Sequence, residues 1–80
     1  MSPLSDLQID EVILSVTEAS WRKVALVIFK AADKMRSELP EGDDGYNAVA
    51  KRIEILVRSG RLLAQGDIKK RRYSEVRKPH

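Results

Sequence analysis

The strongest constraint in the sequence is the run VALVIF, residues 24–29, the longest wholly apolar stretch of the chain. Apolar residues continue at helical spacing around it and predict a helix over residues 18–39. Leu26, Val27 and Phe29 lie off the main stripe, which makes the helix apolar on most sides through its middle. We therefore expect a central helix, covered by neighbours on more than one face. The stripe consists of Trp21, Val24, Ala25, Ile28, Ala32 and Met35.

A first helix is predicted over residues 6–15. Ser5 and Gln8 have the spacing of a capping box, in which each side chain satisfies a backbone amide of the other residue. Asp6, which follows the cap, lies near the positive end of the helix dipole. The apolar positions fall on one stripe at the helical period. They are Ile9, Val12, Ile13 and Val16.

A third helix is predicted over residues 45–59, after the turn PEGDDG at residues 40–45. Pro40 disfavours helical backbone in the residue before it, so the second helix should end by Leu39. Asp43 or Asp44 is expected to cap the third helix, and Gly60 suits the left-handed position just past its end. Its buried stripe is predicted to be Val49, Ile53, Leu56 and Val57.

The period changes after Gly60, and a β-hairpin is predicted over residues 61–77. Its first strand covers residues 61–65, with Leu62 and Ala64 on one face. Its second strand covers residues 72–77, where Val76 breaks the alternation and indicates a bulge or a strand end. Three helices followed by a hairpin predict one mainly α domain over residues 1–80, with a C-terminal β-hairpin and a winged-helix-like order.

Charge is distributed unevenly along the chain, whose net charge is only +3. Residues 1–50 carry five basic and nine acidic side chains, a balance of −4, whereas residues 51–80 carry ten basic and three acidic ones, a balance of +7. A molecule with this asymmetry attracts anions at one end. The predicted hairpin is therefore a candidate wing that contacts nucleic acid.

Six residues are the candidates for nucleic-acid binding. Cations at the hairpin tip are expected to contact phosphates, which supply most non-specific affinity. Asn and Arg on the open face of the third helix can pair with base edges, whereas Lys contacts mostly the backbone. The structural alternative is a solvated charge run that protects the hairpin edge from pairing with other chains. The candidates are Asn47, Lys51 and Arg58 on the helix and Lys69, Lys70 and Arg71 at the tip.

No catalytic, metal or cofactor site is predicted. The chain has no cysteine, and its only histidine is His80, the last residue. No metal-ligand spacing, glycine-rich phosphate loop or paired nucleophile and base occurs in the sequence. The short apolar run cannot span a bilayer, which needs about 20 residues, and the first residues lack a secretory signal. A cytoplasmic location without membrane contact is the resulting expectation.

A protein-interaction module is the alternative to nucleic-acid binding. The first helix has an apolar face wide enough for two surfaces, and exposed apolar patches commonly mark such contacts. This hypothesis predicts a contiguous apolar patch around Leu7, Leu14, Ile55 or Leu63. It would serve a homodimer or a separate partner domain.

The stretches WRKVALVI, RIEILVRSGRL, AQGD and RYSEVR resemble motifs of a bacterial family of domains of unknown function. The resemblance extends from Trp21 to Pro79, and its most specific block is GD followed by RYSEVR. It implies a winged-helix-like C-terminal domain of the kind that follows a second uncharacterised domain. The resemblance brings no established activity.

Overall fold

The computed structural model describes residues 5–79, and His80 lies outside this range. The described chain is mainly helical, with three helices and a three-stranded antiparallel sheet. None of its helices is long and apolar enough to cross a membrane. In chain order the elements are α1 Asp6–Val16, β1 Arg22–Lys23, α2 Val24–Lys34, α3 Asp43–Arg58, β2 Leu63–Gln65 and β3 Glu75–Arg77.

Helix α1 confirms the predicted first helix and its start. The Ser5 side chain accepts from the Gln8 amide at 3.2 Å, and the Gln8 side chain accepts from the Ser5 amide at 2.9 Å. The helix ends at Thr17, whose buried hydroxyl donates to the Ile13 carbonyl at 2.7 Å. The start depends on residues three positions apart, which is why the sequence predicted it; the bond of Thr17 at the end of the helix was not predicted.

Helix α2 is shorter than the predicted helix over residues 18–39. The predicted N-terminal part of this helix is wrong, because Arg22 and Lys23 form strand β1 and pair with Val76 and Glu75 of β3. An extended backbone makes these ladder bonds, and helical backbone at the same residues is excluded. At the other end the helix stops at Lys34, and residues 35–38 form turns.

Helix α2 is also not covered on several faces, contrary to the expectation of a central helix. Its buried side chains fall on a single stripe, whereas Leu26 is 41% exposed and Phe29 is 58% exposed. Trp21, predicted to open the stripe, precedes the helix and lies half-buried with the Arg77 guanidinium 5.1 Å from its ring centroid. The apolar run at residues 24–29 therefore leaves the side chain of Phe29 on the surface.

Helix α3 begins at Asp43, two residues before the predicted start. Gly42 is the N-cap residue with φ of 69°, and it provides no side-chain cap. Asp43 and Asp44 lie in the first turn, so the prediction that one of them caps the helix is wrong. Gly60 follows the helix with φ of 82°, as predicted for a left-handed C-terminal position.

The predicted hairpin forms from β2 and β3, with Ala64 opposite Val76. Strand β3 lies in the middle of the sheet because β1 pairs with its other edge. The second strand begins at residue 75 instead of 72, since residues 71–73 form a turn. Val76 is fully buried at the centre of the sheet, so the bulge expected there is wrong.

The core lies between the three helices and one face of the sheet. Strand β2 begins at Leu63, two residues after the predicted start, because residues 61 and 62 form a bend after α3. Leu62 before the strand is buried and Ala64 is half-buried, while Leu63 between them is 37% exposed. The buried apolar side chains of the core are Ile9, Ile13, Val24, Val27, Ile28, Ala31, Ala32, Met35, Val49, Ala50, Ile53, Leu56, Leu62 and Val76.

Candidate nucleic-acid interface

The segment between β2 and β3, residues 66–74, is defined here as the basic loop. Asp67 organises its first turn, because its carboxylate accepts from the Lys69 amide at 3.0 Å and its carbonyl accepts from the Lys70 amide at 2.8 Å. The Lys70 carbonyl then accepts from the Tyr73 amide at 2.9 Å and the Ser74 hydroxyl at 2.9 Å. Local hydrogen bonds therefore shape the loop, and Asp67 has the role that aspartate commonly takes in turns.

The basic loop also contacts the start of α2. The Ser74 carbonyl accepts from the Val24 amide at 3.0 Å, and the Arg71 carbonyl accepts from the Ala25 amide at 3.1 Å. The first amides of a helix have no partner within the helix, and Lys23 at the N-cap provides no side-chain bond. The loop backbone satisfies two of these amides, so the loop is held against the helices.

A side-chain hydrogen bond connects the basic loop to α3. The Nη2 atom of Arg71 donates to Oδ1 of Asn47 at 3.0 Å. Close by, Lys69 and Arg71 line a cavity of about 200 Å³ together with Ala50 and Glu54 of α3. The loop and the exposed face of α3 consequently form one continuous surface.

The cations of the basic loop are available to an external anion. Lys69, Lys70 and Arg72 are exposed, and Arg71 is half-buried. None of the four is in an ion pair within residues 5–79. With Asp67 as its only acid, the loop carries a net charge of +3. It has the electrostatic character of a phosphate-binding segment.

The exposed face of α3 has mixed charge. Asn47, Lys51, Glu54 and Arg58 share this face by their spacing along the helix. Lys51 and Arg58 are exposed, but the half-buried Glu54 lies between them in the sequence. The exposed Asp43 and Asp44 occupy the first turn. A phosphate backbone laid along the whole helix would therefore meet carboxylates as well as cations.

The six predicted residues do not all converge. Asn47 and Arg71 are in contact, and Lys69 shares a cavity with Arg71. Lys51 follows Asn47 by one turn of α3, about 6 Å along the axis. Arg58 lies at the other end of the helix, about 16 Å from Asn47 along the axis. The structure thus brings the loop close to the N-terminal half of α3 and leaves Arg58 apart.

The acids of α1 lie on the opposite side of α3 from its exposed face. Asp10 is 4% exposed and accepts two hydrogen bonds from Arg52, at 2.9 and 2.8 Å. Asp6 adds a longer contact to Arg52 at 3.4 Å. Hydrogen bonding to Asp10 raises the pKa of the Arg52 guanidinium. These carboxylates are neutralised away from the basic loop, which preserves the charge separation seen in the sequence.

A groove between α2 and α3 was not predicted from the sequence. It encloses about 530 Å³ beside Arg71, and a cavity of about 430 Å³ adjoins it. Phe29 and Tyr46 line both, with Phe29 58% and Tyr46 37% exposed. The off-stripe position of Phe29 is the sequence signal for this groove, although the surrounding apolar run predicts burial of that side chain. The groove lining is Ala25, Ile28, Phe29, Asp43, Tyr46, Asn47 and Arg71.

The apolar patch expected of an interaction module has less support in the structure than the basic surface described above. The apolar stripe of α1 packs into the core, and Leu14 packs partly buried against it. Leu7 is 60% exposed on α1, while Ile55 and Leu63 are each 37% exposed on other elements. Dimerisation and docking of a partner domain through α1 stay predictions. Within residues 5–79, no group of three or more acidic, histidine or cysteine side chains is arranged to hold a metal ion.

No protein-family model matches the chain, and no curated protein or solved structure is significantly similar to it. The resemblance to an uncharacterised bacterial family accordingly stays a prediction based on the sequence motifs.

Proposed function

We propose that this chain is a winged helix. Two observations support the assignment: the order of the elements, helix, strand, two helices and two strands, and the position of β3 between β1 and β2. In this assignment α2 and α3 are the two helices of a helix-turn-helix, and the basic loop is the wing. In such motifs the second helix lies nearest the nucleic acid, so α3 is the helix expected to contact it.

We further propose that the domain binds nucleic acid through the basic loop and the adjoining half of α3. The observation that carries this proposal is the hydrogen bond from Arg71 to Asn47, because it joins a loop with four cations to the exposed face of α3. Phosphates are the anions that a basic loop of this kind binds most strongly in water. A cytoplasmic location, where nucleic acid is accessible, belongs to the same proposal.

Phosphate contacts are expected to dominate over base reading. The first turn of α3 carries Asp43 and Asp44, which repel the backbone of a duplex if the helix enters the major groove end-on. Asn47, the side chain best suited to a base edge, is already engaged by Arg71. We therefore expect binding that depends strongly on salt and weakly on sequence.

A salt series tests the proposal with a matched pair of variants. K69A/K70A removes two exposed lysines of the loop, and K30A/K34A removes two exposed lysines of α2. Each duplex phosphate contact contributes about 0.9 to the slope of log affinity against log salt. The loop variant should lower that slope by about 1.8, whereas the α2 variant should leave it unchanged. An equal effect of both variants, or no wild-type binding to either duplex or single strand at about 50 mM salt, would reject the proposal.

A further inference from the structure

The groove between α2 and α3 has the composition of a site for a flat, apolar group. Phe29 and Tyr46 contribute partly exposed aromatic rings, and Ala25 and Ile28 contribute small and aliphatic surface. Its volume of about 530 Å³ falls in the range of about 300–1,000 Å³ typical of ligand sites. Exposing Phe29 to water is unfavourable, since large aromatic side chains gain most from burial. A ligand that covers the ring removes this unfavourable exposure, and that gain stabilises the complex.

Polar groups at one end of the groove are suited to a nucleotide. Arg71 lines the groove, and its guanidinium is oriented by Asn47 at 3.0 Å. A guanidinium held in this way suits a phosphate, which accepts two parallel hydrogen bonds from it. Asp43, which also lines the groove, can accept a hydrogen bond from a base edge, and the NH2 group of Asn47 can donate one while its oxygen accepts from Arg71. Apolar and anionic preferences therefore occur together within one cavity.

We infer that this groove accepts an unpaired nucleobase, with a neighbouring phosphate on Arg71, so that the domain prefers single-stranded nucleic acid to duplex. The inference rests on the proposed function and specifies its ligand. A base in a duplex is stacked on both faces, whereas an unpaired base is free to stack on a protein aromatic ring. A flexible single strand can follow the basic loop into the groove, where Asp43 is the one carboxylate among the lining residues.

Charge complementarity favours this occupant over a protein segment. The basic loop at the edge of the groove has a net charge of +3 and no ion pair within the described chain. A single strand supplies one phosphate for each base, which matches aromatic side chains that line the same groove as Arg71. An apolar peptide would cover Phe29 but leave the loop cations without partners.

The test compares a fluorescein-labelled oligothymidylate of roughly 12 nucleotides with a duplex of similar length, by anisotropy at one salt concentration. F29L keeps an apolar side chain but removes the aromatic ring, and F29W keeps a ring. L26A is the control, since Leu26 is also exposed on α2 and does not line the groove. Stacking on aromatic side chains changes affinity by roughly 5- to 150-fold. F29L should weaken single-strand binding within that range, with duplex binding changed by less than about twofold.

The outcomes separate this inference from the proposed function. If wild type binds duplex and single strand equally, or if F29L and L26A behave alike, the groove does not hold a base and phosphate binding by the loop stands. If wild type binds neither, both proposals fail. Should F29L not fold, wild-type amide shifts provide the test: oligothymidylate should shift Ala25 and Asn47, and unchanged shifts at both residues would overturn the inference.

Discussion

The guanidinium of Arg71 donates to the side-chain oxygen of Asn47 at 3.0 Å, across 24 positions of sequence. The same residue holds the start of α2, through the hydrogen bond from the Ala25 amide to its carbonyl. Arg71 therefore joins the basic loop to both helices that border the groove. The position of the loop, and with it the proposed interface, depends on this residue more than on the neighbouring cations.

The contact between Arg71 and Asn47 should be measurable as a coupling. In a double-mutant cycle of R71A and N47A, we expect a coupling of about 0.5–1.5 kcal/mol in the free energy of unfolding. N47A should also weaken nucleic-acid binding, although it removes no charge, because it releases the guanidinium. Urea denaturation and anisotropy provide the two measurements. Additive effects in both would show that the hydrogen bond does not position the loop.

Removing the charge of Glu54 should strengthen nucleic-acid binding. Glu54 lies on the face of α3 beside the loop and lines a cavity with Lys69 and Arg71. Its carboxylate repels phosphates bound there, so E54Q should raise the affinity by about two- to fivefold at low salt. The control is E11Q, which makes the same change at an exposed site on α1. An equal gain in E11Q would assign the effect to net charge alone.

Asp10 should matter more for stability than Asp6, although both contact Arg52. Asp10 is almost fully buried and accepts two hydrogen bonds, whereas the Asp6 side chain is 74% exposed at 3.4 Å. D10A leaves Arg52 without its main partner, and we expect the melting temperature to fall by at least about 5 °C. D6A should change it by less than about 2 °C. Thermal unfolding followed by circular dichroism compares them, and similar shifts would contradict the assignment.

Glu18 should titrate at an unusually acidic pH. A hydrogen bond from Arg22 and the charge of Arg22 lower the pKa of Glu18 below its ordinary value of 4.5. A lowered folded-state pKa gives stability that is present above pH 4.5 and is lost as the pH falls through the folded-state pKa. Both side chains are about half exposed, so the gain in stability is small. Carboxyl NMR should show the low pKa in wild type and a rise in R22Q; equal values would exclude the interaction.

Gly66 should tolerate alanine less well than Gly60. Both have positive φ, of 80° and 82°, so alanine at either costs about 1–2 kcal/mol of stability. At Gly66 an added Cβ would also lie 2.8 Å from the Tyr73 carbonyl oxygen, whereas at Gly60 it meets nothing within 4 Å. We expect G66A to exceed G60A by about 1–3 kcal/mol in urea denaturation. Equal destabilisation by G66A and G60A would show that the loop backbone shifts to accommodate the added Cβ.

The sequence by itself determined the features that depend on near neighbours in the chain. The capping box at Ser5 and the end of α3 at Gly60 involve contacts within a few residues, and each occurs as predicted. The burial of Leu62 and exposure of Leu63 also follow from local alternation. These features were predictable because a residue type and its spacing specify the backbone conformation directly.

Only the tertiary structure decided the features that join distant segments. Strand β1 exists because Arg22 and Lys23 meet β3, more than 50 residues later, and this pairing moved the start of α2. Phe29 is exposed because no element within residues 5–79 covers that side of α2, a fact that its apolar sequence cannot reveal. The contact between Arg71 and Asn47 likewise depends on how the basic loop packs against α3. Periodicity shows which residues can share a face, but the packing of elements decides what each face contacts.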